Sequence, residues 1–441
     1  PRALRGRRVG TFMGAGPVEY AREAFSSFDP LYFGTGTATS ALAGRVSHCL
    51  GLGGPALTLD AACASSLASV HQAVTALRCG DCDMALAGGV SLMLSPQGFI
   101  ALSNAKMLAP DGRCKAFSES ADGYGRGEGC GVVVLEPLSK ALEKGHRIYA
   151  TIRGSAVNHN AGGAGLTVPS GPQQAEVIRR ALHVAGLRPD DVSYVEAHGT
   201  GTALGDPIEV GALGDVFHTR ASGTLPIGSV KTNLGHLEAA AGIAGLIKTA
   251  LCLHHRTLVP SLHATVRSTR IDWDRTPVAV ADTVTPWPEG RPRIAGVSSF
   301  GFTGTNAHCV LEAGPDEQRA CSSVVEPHPF ERRRFWVGPA SPVTTELPER
   351  RIETPAVAGL FETTVSLARF DELRDHRVFD EFVVPGSFHV AATLRATTEL
   401  ANLPVALTNI AFDEALQLDS NTIATHQVVL LEATSGEHGF R

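Results

Sequence analysis

Cys63 has the sequence surroundings of a nucleophilic cysteine. A short apolar run, residues 58–62, leads into it, and the large apolar residues that follow share one helical face: Leu67, Val70, Val74 and Leu77. Gly80 stands where such a helix would end. Cys63 is therefore predicted at a strand-to-helix corner, where unpaired N–H groups and the helix dipole would lower the pKa of the thiol. Taken alone, a cysteine is more often a buried structural residue.

Two histidines are predicted at positions that suit the same chemistry. His198 ends a strand predicted over residues 192–197, and the Gly-Thr-Gly-Thr after it offers hydroxyls and close backbone approach. His236 precedes residues 237–253, an Ala-, Leu- and Ile-rich stretch predicted as a helix buried on most sides. A helix N-terminus favours neutral imidazole, which can donate one hydrogen bond to an oxyanion. Among 17 histidines, His198 taken alone would more often be structural.

The segments that must position these groups are predicted to be alternating strands and helices. Further strands are predicted over residues 8–14, 84–94, 131–135, 150–156 and 226–231, and two more within 294–311. Helices are predicted over residues 138–144 and 173–185. The 84–94 strand is expected to lie beside the strand that leads to Cys63. The glycine-rich run 122–129 has neither dinucleotide-loop nor P-loop spacing and predicts close backbone approach instead.

Composition narrows the class of protein. With 441 residues, two domains are expected, and a net charge of −6 argues against a nucleic-acid or anionic-membrane surface. No apolar run is long enough to span a bilayer. Nine cysteines without a signal peptide fit a reducing compartment, so a cytoplasmic location is predicted. The CxxC at 79–82 has no second pair, so neither a metal nor a redox cofactor is predicted.

Four motifs resemble those of β-ketoacyl synthases (ketosynthases) and occur in that family's order. They are DAACASSL at 60–67, EAHGTGT at 196–202, KTNLGH at 231–236 and GFTGTNAH at 301–308. The resemblance covers roughly the first 310 residues and implies an α/β, thiolase-like, layered αβαβα fold. The family's opening portion is expected to be missing, and the chain, which starts at Pro1, is expected to be a fragment.

The resemblance also implies roles at matching positions. Cys63 would take an acyl group from the phosphopantetheine arm of an acyl carrier protein. His198 and His236 would donate hydrogen bonds to the enolate formed when a malonyl-type extender loses carbon dioxide. Lys231 would orient and electrostatically support His236. No bound cofactor is implied beyond the carrier's arm.

Three further positions belong to the implied substrate site. Thr200 and Thr202 match residues that contact the pantetheine arm. The backbone N–H of Phe302 would pair with that of Cys63 in an oxyanion hole, and its ring would screen the entrance. The family often has Gly or Ser where this chain has Thr303, and a β-branched residue is costly at positive φ. Either the loop uses another dihedral there or activity is impaired.

The last quarter of the chain resembles another part of modular polyketide synthases. The domains are predicted as 1–313 for the ketosynthase, a Pro-, Ser- and charge-rich linker over 314–348, and a partial hot-dog domain over 349–441. Residues 376–386 resemble the H-x-x-x-G-x-x-x-x-P motif of the synthases' dehydratases, which makes His376 a general base. Asp380 replaces that motif's glycine, and the partner carboxylate belongs to a second hot-dog, so no working dehydratase is expected in this fragment.

The sequence also leads to expectations about partners of the ketosynthase and leaves two alternative functions open. Residues 328–336 resemble the linker segment that lies back on a ketosynthase. No G-x-S-x-G elbow is present, so the acyltransferase is expected to act in trans or to be missing from the fragment. A homodimer through the ketosynthase is expected. The nearest enzyme alternative is a thiolase, which typically uses a second cysteine, and the non-enzyme alternative is an inactive remnant that keeps dimerisation or carrier docking.

Overall fold

The chain divides into two units, Pro1–Arg333 and Arg334–Arg441. The computed structural model describes residues 4–21, 30–162, 165–221, 223–315, 330, 332–333, 350–354, 357–378, 381–401, 407, 410–412, 414–419, 421–431 and 439–440. The predicted linker 314–348 lies mostly outside the described residues, as do Asp380 and most of the segment 328–336.

The first sheet of unit 1 contains the strand that leads to Cys63. Its strands are β1 (Val9–Ala15), β2 (Ala56–Leu59), β3 (Met84–Ser91) and β4 (Gly129–Leu135), in the spatial order β2-β1-β3-β4. The first three are parallel, and β4 is antiparallel to β3. The prediction that the 84–94 strand lies beside the strand leading to Cys63 is wrong, because β1 is buried along its whole length and pairs with both.

The second sheet repeats this arrangement. Its strands are β5 (Ala150–His159), β6 (Tyr194–Glu196), β7 (Leu225–Gly228), β9 (Val278–Val280), β11 (Ile294–Phe300) and β12 (Thr305–Ala313). Their order is β5-β12-β11-β6-β7-β9. β7, β6 and β11 are parallel and β12 is antiparallel, as in the order β2-β1-β3-β4. Two short strands, β8 (Thr257–Leu258) and β10 (Thr285–Pro286), form a separate pair.

The helices of unit 1 include one layer between the two sheets and one on the outer face of each sheet. They are α1 (Pro30–Thr37), α2 (Ser40–Leu50), α3 (Ser65–Cys79), α4 (Gln97–Asn104), α5 (Leu138–Lys144), α6 (Gly171–Ala185), α7 (Gly205–Phe217), α8 (Lys231–Leu234) and α9 (Ala241–His255). α3 and α9 lie between the sheets in one buried cluster that includes Phe12, Leu67 and Val297. α2 contacts the first sheet, while α6 and α7 pack on the second. The predicted layered αβαβα fold is confirmed.

Local chemistry explains where several helices end. α3 ends at Gly80 and α6 at Gly186, both in the left-handed conformation that glycine tolerates. The predicted helix over 237–253 begins instead as a 3₁₀ turn, Glu238–Ala240, that leads into α9. The predicted strand 226–231 is shorter than expected, because the chain turns after Gly228 and Lys231 opens the one-turn helix α8.

Unit 2 has its own sheets, helix and core. One sheet contains β13 (Arg350–Ile352), β14 (Gly359–Val365), β18 (Ala424–Leu431) and β19 (Gly439–Phe440), and the other contains β15 (Arg377–Val378), β16 (Glu381–Val383) and β17 (Gln417–Leu418). Helix α10 (Gly386–Ala401) places Ala392 and Ala396 against Phe361 and Val428. A helix packed on a sheet agrees with the predicted partial hot-dog fold. No helix of either unit's described residues is long and apolar enough to cross a membrane.

Candidate active site

Cys63 lies at a sharp corner between β2 and α3. Ala62, just before it, has a left-handed φ of 51°, which a side chain makes costly. The Ser65 hydroxyl holds this turn by accepting from the Ala61 N–H at 2.8 Å and donating to the Ala62 carbonyl at 2.6 Å. The Ser299 hydroxyl donates to the Cys63 carbonyl at 2.7 Å. The corner predicted from the sequence is therefore present, and it is fixed by the first residue of α3 and by Ser299 of β11.

The electrostatic prediction for Cys63 is wrong. Burial raises the pKa of its thiol to about 11, although the Lys231 charge and the backbone N–H groups of Phe302 and of Cys63 itself act in the opposite direction. The loss of hydration outweighs the nearby N–H groups, so the thiol is the resting form at neutral pH. These two N–H groups are the pair that the resemblance assigned to an oxyanion hole.

His198 and His236 share a cavity of about 1350 Å³ with Cys63. Their ring centroids are 5.5 Å apart and the rings are nearly perpendicular. The Phe300 N–H donates to Nδ1 of His198 at 3.3 Å, and the Glu238 N–H donates to Nδ1 of His236 at 3.0 Å. Each neutral ring must therefore have its proton on Nε2. Both rings can act as hydrogen-bond donors.

The environment also keeps both histidines neutral. Burial lowers the pKa of each imidazole well below its usual value, and the Lys231 charge lowers it further. Tyr124 packs against the His236 ring with a centroid distance of 4.9 Å. The two side chains are uncharged donors over a wide pH range.

The Lys231 side chain is almost fully buried and lies against the main chain of His198. Its Nζ donates to the backbone carbonyl of His198 at 2.5 Å. The direct partner is thus the main chain of His198, whereas the resemblance implied support of His236. The Lys231 charge nevertheless reaches Cys63 and both imidazoles, since it lowers the pKa of all three.

Two buried carboxylates under the site were missed by the sequence reasoning. Glu209 accepts from the N–H groups of His198 at 2.7 Å and Gly199 at 2.8 Å. Asp206, one turn earlier on α7, accepts from the Phe117 N–H at 2.7 Å and the Gly201 N–H at 3.1 Å. Burial raises the pKa of Glu209 to about 7 and that of Asp206 to about 6. Acidic residues three apart in an otherwise apolar segment were the available signal.

A third buried carboxylate fixes the neighbouring turn. Glu196 accepts from the Val230 N–H at 2.6 Å, directly before Lys231. Its other oxygen accepts from the Tyr194 hydroxyl at 2.7 Å and Lys248 Nζ at 2.6 Å. The main chain before His198 is thereby tied to the turn that contains Lys231.

The three predicted substrate-contact residues line the same cavity. The hydroxyls of Thr200 and Thr202 are 3.2 Å apart. Phe302 is 50% exposed, as a residue at an entrance would be. In its loop the positive φ belongs to Gly304, at 98°, and Thr303 does not adopt one. The loop therefore uses a different dihedral at Thr303, which removes the expected strain.

His376 belongs to unit 2. It is exposed, and its Nδ1 lies 2.7 Å from the Val383 carbonyl. A carbonyl can only accept, so the neutral ring has its proton on Nδ1 and a free lone pair on Nε2. This tautomer is suited to a base, opposite to that of His198 and His236.

Within the described residues, no group of three or more His, Cys, Asp or Glu side chains could hold a metal ion.

Comparisons with known families cover nearly the whole chain. Residues 1–141 match the β-ketoacyl synthase N-terminal domain, residues 149–265 the C-terminal domain and residues 268–333 the ketoacyl-synthetase C-terminal extension. Residues 346–441 match the polyketide synthase dehydratase domain.

Relatives and solved structures agree with these matches. Erythronolide synthase EryA2 of Saccharopolyspora erythraea is 46% identical over 378 residues, 84% of this chain and 11% of that protein. EryA3 of the same organism is 50% identical over 321 residues, 72% of this chain and 10% of that protein. The ketosynthase from module 6 of the bacillaene synthase of Bacillus subtilis 168 is 41% identical with a TM-score of 0.67, covering 71% of this chain and 55% of that one. The chain spans about a tenth of the length of these two curated relatives.

Proposed function

Because this chain belongs to the β-ketoacyl synthase family of type I polyketide synthases, as its four motifs predicted, we propose that unit 1 catalyses decarboxylative Claisen condensation. The reaction joins an acyl chain to a malonyl-type extender held on an acyl carrier protein, in polyketide biosynthesis. The observation that carries the proposal is the pair of neutral imidazoles, each with Nε2–H, that lines one cavity with Cys63.

In the first half-reaction, the Cys63 sulfur attacks the thioester carbonyl of an acyl chain on the carrier's phosphopantetheine arm. The N–H groups of Cys63 and Phe302 stabilise the oxyanion. The carrier thiolate leaves with the proton that the Cys63 thiol gave up, and the acyl group stays on Cys63. Acylation thus starts from a thiol whose pKa burial raises to about 11, and proton removal accompanies attack.

In the second half-reaction, the extender loses carbon dioxide and leaves an enolate. Nε2–H of His198 and of His236 donates to the enolate oxygen and stabilises its negative charge. The enolate carbon attacks the acyl-Cys63 carbonyl, and the Cys63 thiolate leaves and takes up a proton. The product is a β-ketoacyl thioester two carbons longer on the carrier.

The proposal extends to partners. Thr200 and Thr202 contact the pantetheine arm along the cavity, and the acyl carrier protein docks where this cavity opens. An acyltransferase loads the extender from a separate chain or from a domain outside these residues. The chain acts as a homodimer through unit 1, in the cytoplasm; the eight described cysteines, all unpaired, support a reducing compartment.

One experiment tests the condensing function directly. The protein is incubated with an acyl-carrier thioester, and the mass of the Cys63 peptide is measured; then malonyl-carrier is added and carbon dioxide release is followed. We expect one acyl group on Cys63 in the wild type and none in Cys63→Ala. An unlabelled wild-type peptide, under conditions that label a complete homologue, would contradict the proposal and favour the inactive scaffold.

A further inference from the structure

Glu238 has an unusual backbone conformation next to a histidine of the site. Its φ is 44°, in the left-handed region that glycine adopts freely and other residues adopt at a cost. It is the residue whose N–H donates to Nδ1 of His236 at 3.0 Å. The strained conformation and the hydrogen bond that fixes the imidazole proton therefore belong to one residue.

The side chain of Glu238 is held by a buried guanidinium. Nε of Arg126 donates to one carboxylate oxygen at 2.6 Å and Nη2 donates to the other at 2.9 Å. The Arg126 side chain is 5% exposed and that of Glu238 is 25% exposed. The guanidinium also lies over the Phe99 ring, 4.6 Å from its centroid. A two-point contact of this kind fixes orientation as well as distance.

Arg126 is also part of the segment that holds the His236 main chain. The His236 N–H donates to the Gly125 carbonyl at 2.7 Å, and the Gly127 N–H donates to the His236 carbonyl at 2.9 Å. His236 is thereby held at its backbone by the residues on either side of Arg126. Its ring accepts a hydrogen bond at Nδ1 from the N–H of Glu238, and Arg126 binds the carboxylate of that same residue. One arginine links both restraints.

We propose that Arg126 and Glu238 are a positioning pair that holds Glu238 in its left-handed conformation and so fixes His236 as the Nε2–H tautomer. This inference rests on the proposed condensing function, because it is the enolate that needs the Nε2–H donor. Neither residue touches the reacting atoms, and each acts on decarboxylation through His236; the Glu238 charge separately raises the pKa of Cys63. The pair matters to the decarboxylation half-reaction, whereas acylation of Cys63 depends on backbone N–H groups elsewhere.

A series of substitutions at Glu238 and Arg126 tests whether the pair acts through the backbone conformation of Glu238. Glu238→Ala removes the ion pair but keeps a Cβ, so the left-handed conformation loses its restraint. Glu238→Gly also removes the ion pair, but glycine adopts this φ without cost. Glu238→Gln keeps the shape and can accept from only one Arg126 nitrogen. Arg126→Met removes the charge and the fork while keeping a long apolar side chain.

Decarboxylation of malonyl-carrier and acylation of Cys63 are measured separately for each variant, with thermal unfolding as the check on folding. We expect Glu238→Ala and Arg126→Met to slow decarboxylation by roughly 10- to 100-fold, as for a misplaced catalytic group, and acylation by less than about threefold. Glu238→Gly should stay within about threefold of the wild type in both steps, with Glu238→Gln between the two. Equal losses in both half-reactions, or a glycine variant as slow as the alanine variant, would overturn the inference.

A spectroscopic measurement separates failure of this inference from failure of the proposed function. Nitrogen-15 shifts of the histidine rings are recorded, and His236 is assigned by the signal lost in His236→Gln. We expect an unprotonated Nδ1 and a protonated Nε2 at His236 in the wild type and in Glu238→Gly, and a mixture of tautomers in Glu238→Ala. A wild-type His236 protonated on Nδ1 would overturn the inference, whether or not the protein condenses substrates.

Discussion

The main-chain partner of a histidine ring decides whether its other nitrogen presents a proton or a lone pair. His198 and His236 accept an N–H at Nδ1 and so present Nε2–H to the cavity. His376 faces a carbonyl at Nδ1 and so presents a lone pair at Nε2. A donor suits an enolate, and a lone pair suits removal of a proton. The sequence can locate these histidines through motifs, but it does not show which main-chain group each ring faces.

The acidity of Cys63 leads to a prediction about its reactivity. Because burial raises its pKa to about 11, the thiolate fraction is small at neutral pH and increases as pH rises. We expect the rate of iodoacetamide alkylation at Cys63 to increase about tenfold per pH unit between pH 8 and 10. Peptide mass mapping at each pH measures it, with the exposed Cys79 as the internal check on the reagent. A rate at Cys63 that is flat above pH 8 would contradict a raised pKa.

Removing the Lys231 charge should act on the same thiol. The cation lowers the pKa of Cys63, so Lys231→Met should raise that pKa further and slow alkylation at pH 9. The pKa of each imidazole should move upward for the same reason, because the cation disfavours a second positive charge. The exposed Lys140→Met is the matched control. Faster alkylation of the Lys231 variant than of the control would be inconsistent with this account.

At the scale of elements, α7 acts as a support for the loop that contains His198. Its two carboxylates accept three N–H groups from residues 198–201 and one from Phe117. These N–H groups would otherwise be buried without partners, which is costly. The helix was missed from the sequence because its apolar residues do not concentrate on one face, so no helical periodicity distinguishes it.

Glu209→Gln tests this support. Glutamine offers one carbonyl oxygen and sets an NH₂ group against the second backbone N–H. We expect a loss of about 1–3 kcal/mol in the free energy of unfolding and slower condensation, because the His198 loop loses an anchor. Denaturant unfolding and carbon dioxide release measure the two effects. Asp215→Asn, exposed on the same helix, should change neither, and an unaffected Glu209 variant would show that the loop does not depend on α7.

Strand β4 presents an apolar face at the end of the first sheet. Cys130, Val132 and Val134 alternate with inward residues, and Val134 is 62% exposed. An exposed apolar strand at a sheet edge promotes pairing with other chains. We expect the double variant Val132→Thr, Val134→Thr to have a lower average mass than the wild type by light scattering at equal concentration. Val133→Thr, on the inward face, should lower stability without that effect; unchanged mass in the double variant would contradict the role of β4.

The spacing of apolar residues predicted many of the helices and strands. It did not predict the order of the strands within each sheet, for a physical reason. The strands at 8–14, 131–135 and 150–156 and the helices at 65–79 and 173–185 follow from apolar spacing and from Gly80 and Gly186. The helices over residues 30–50 lie in a polar, Gly-, Ala- and Ser-rich stretch, a composition that favours turns and loops and so gave no helix prediction. The position of β1 between β2 and β3 is a long-range pairing that no local spacing contains.

At the scale of the whole molecule, the site is assembled from both halves of a duplicated architecture. Cys63 comes from the corner after the first sheet's edge strand, whereas His198 and His236 come from segments of the second half. Ser299 contacts the Cys63 carbonyl and Phe300 contacts the His198 ring, so the end of β11 joins the two. Motif order in the sequence predicted the participants, and the repeated sheet order explains why their ends meet.

Each of the two units is expected to depend on its own buried core for stability. Each buried cluster among the described residues draws all its members from one unit: Leu213 belongs to unit 1 and Phe361 to unit 2. Phe361→Ala should cost unit 2 about 3–5 kcal/mol of stability, and Leu213→Ala should cost unit 1 about 2–5 kcal/mol, because each leaves a cavity. Hydrogen exchange resolved by peptide should show faster exchange only in the unit that is changed.

Acylation of Cys63 should persist in Phe361→Ala and weaken in Leu213→Ala as temperature rises. Loss of acylation in the Phe361 variant would mean that unit 1 depends on the core of unit 2.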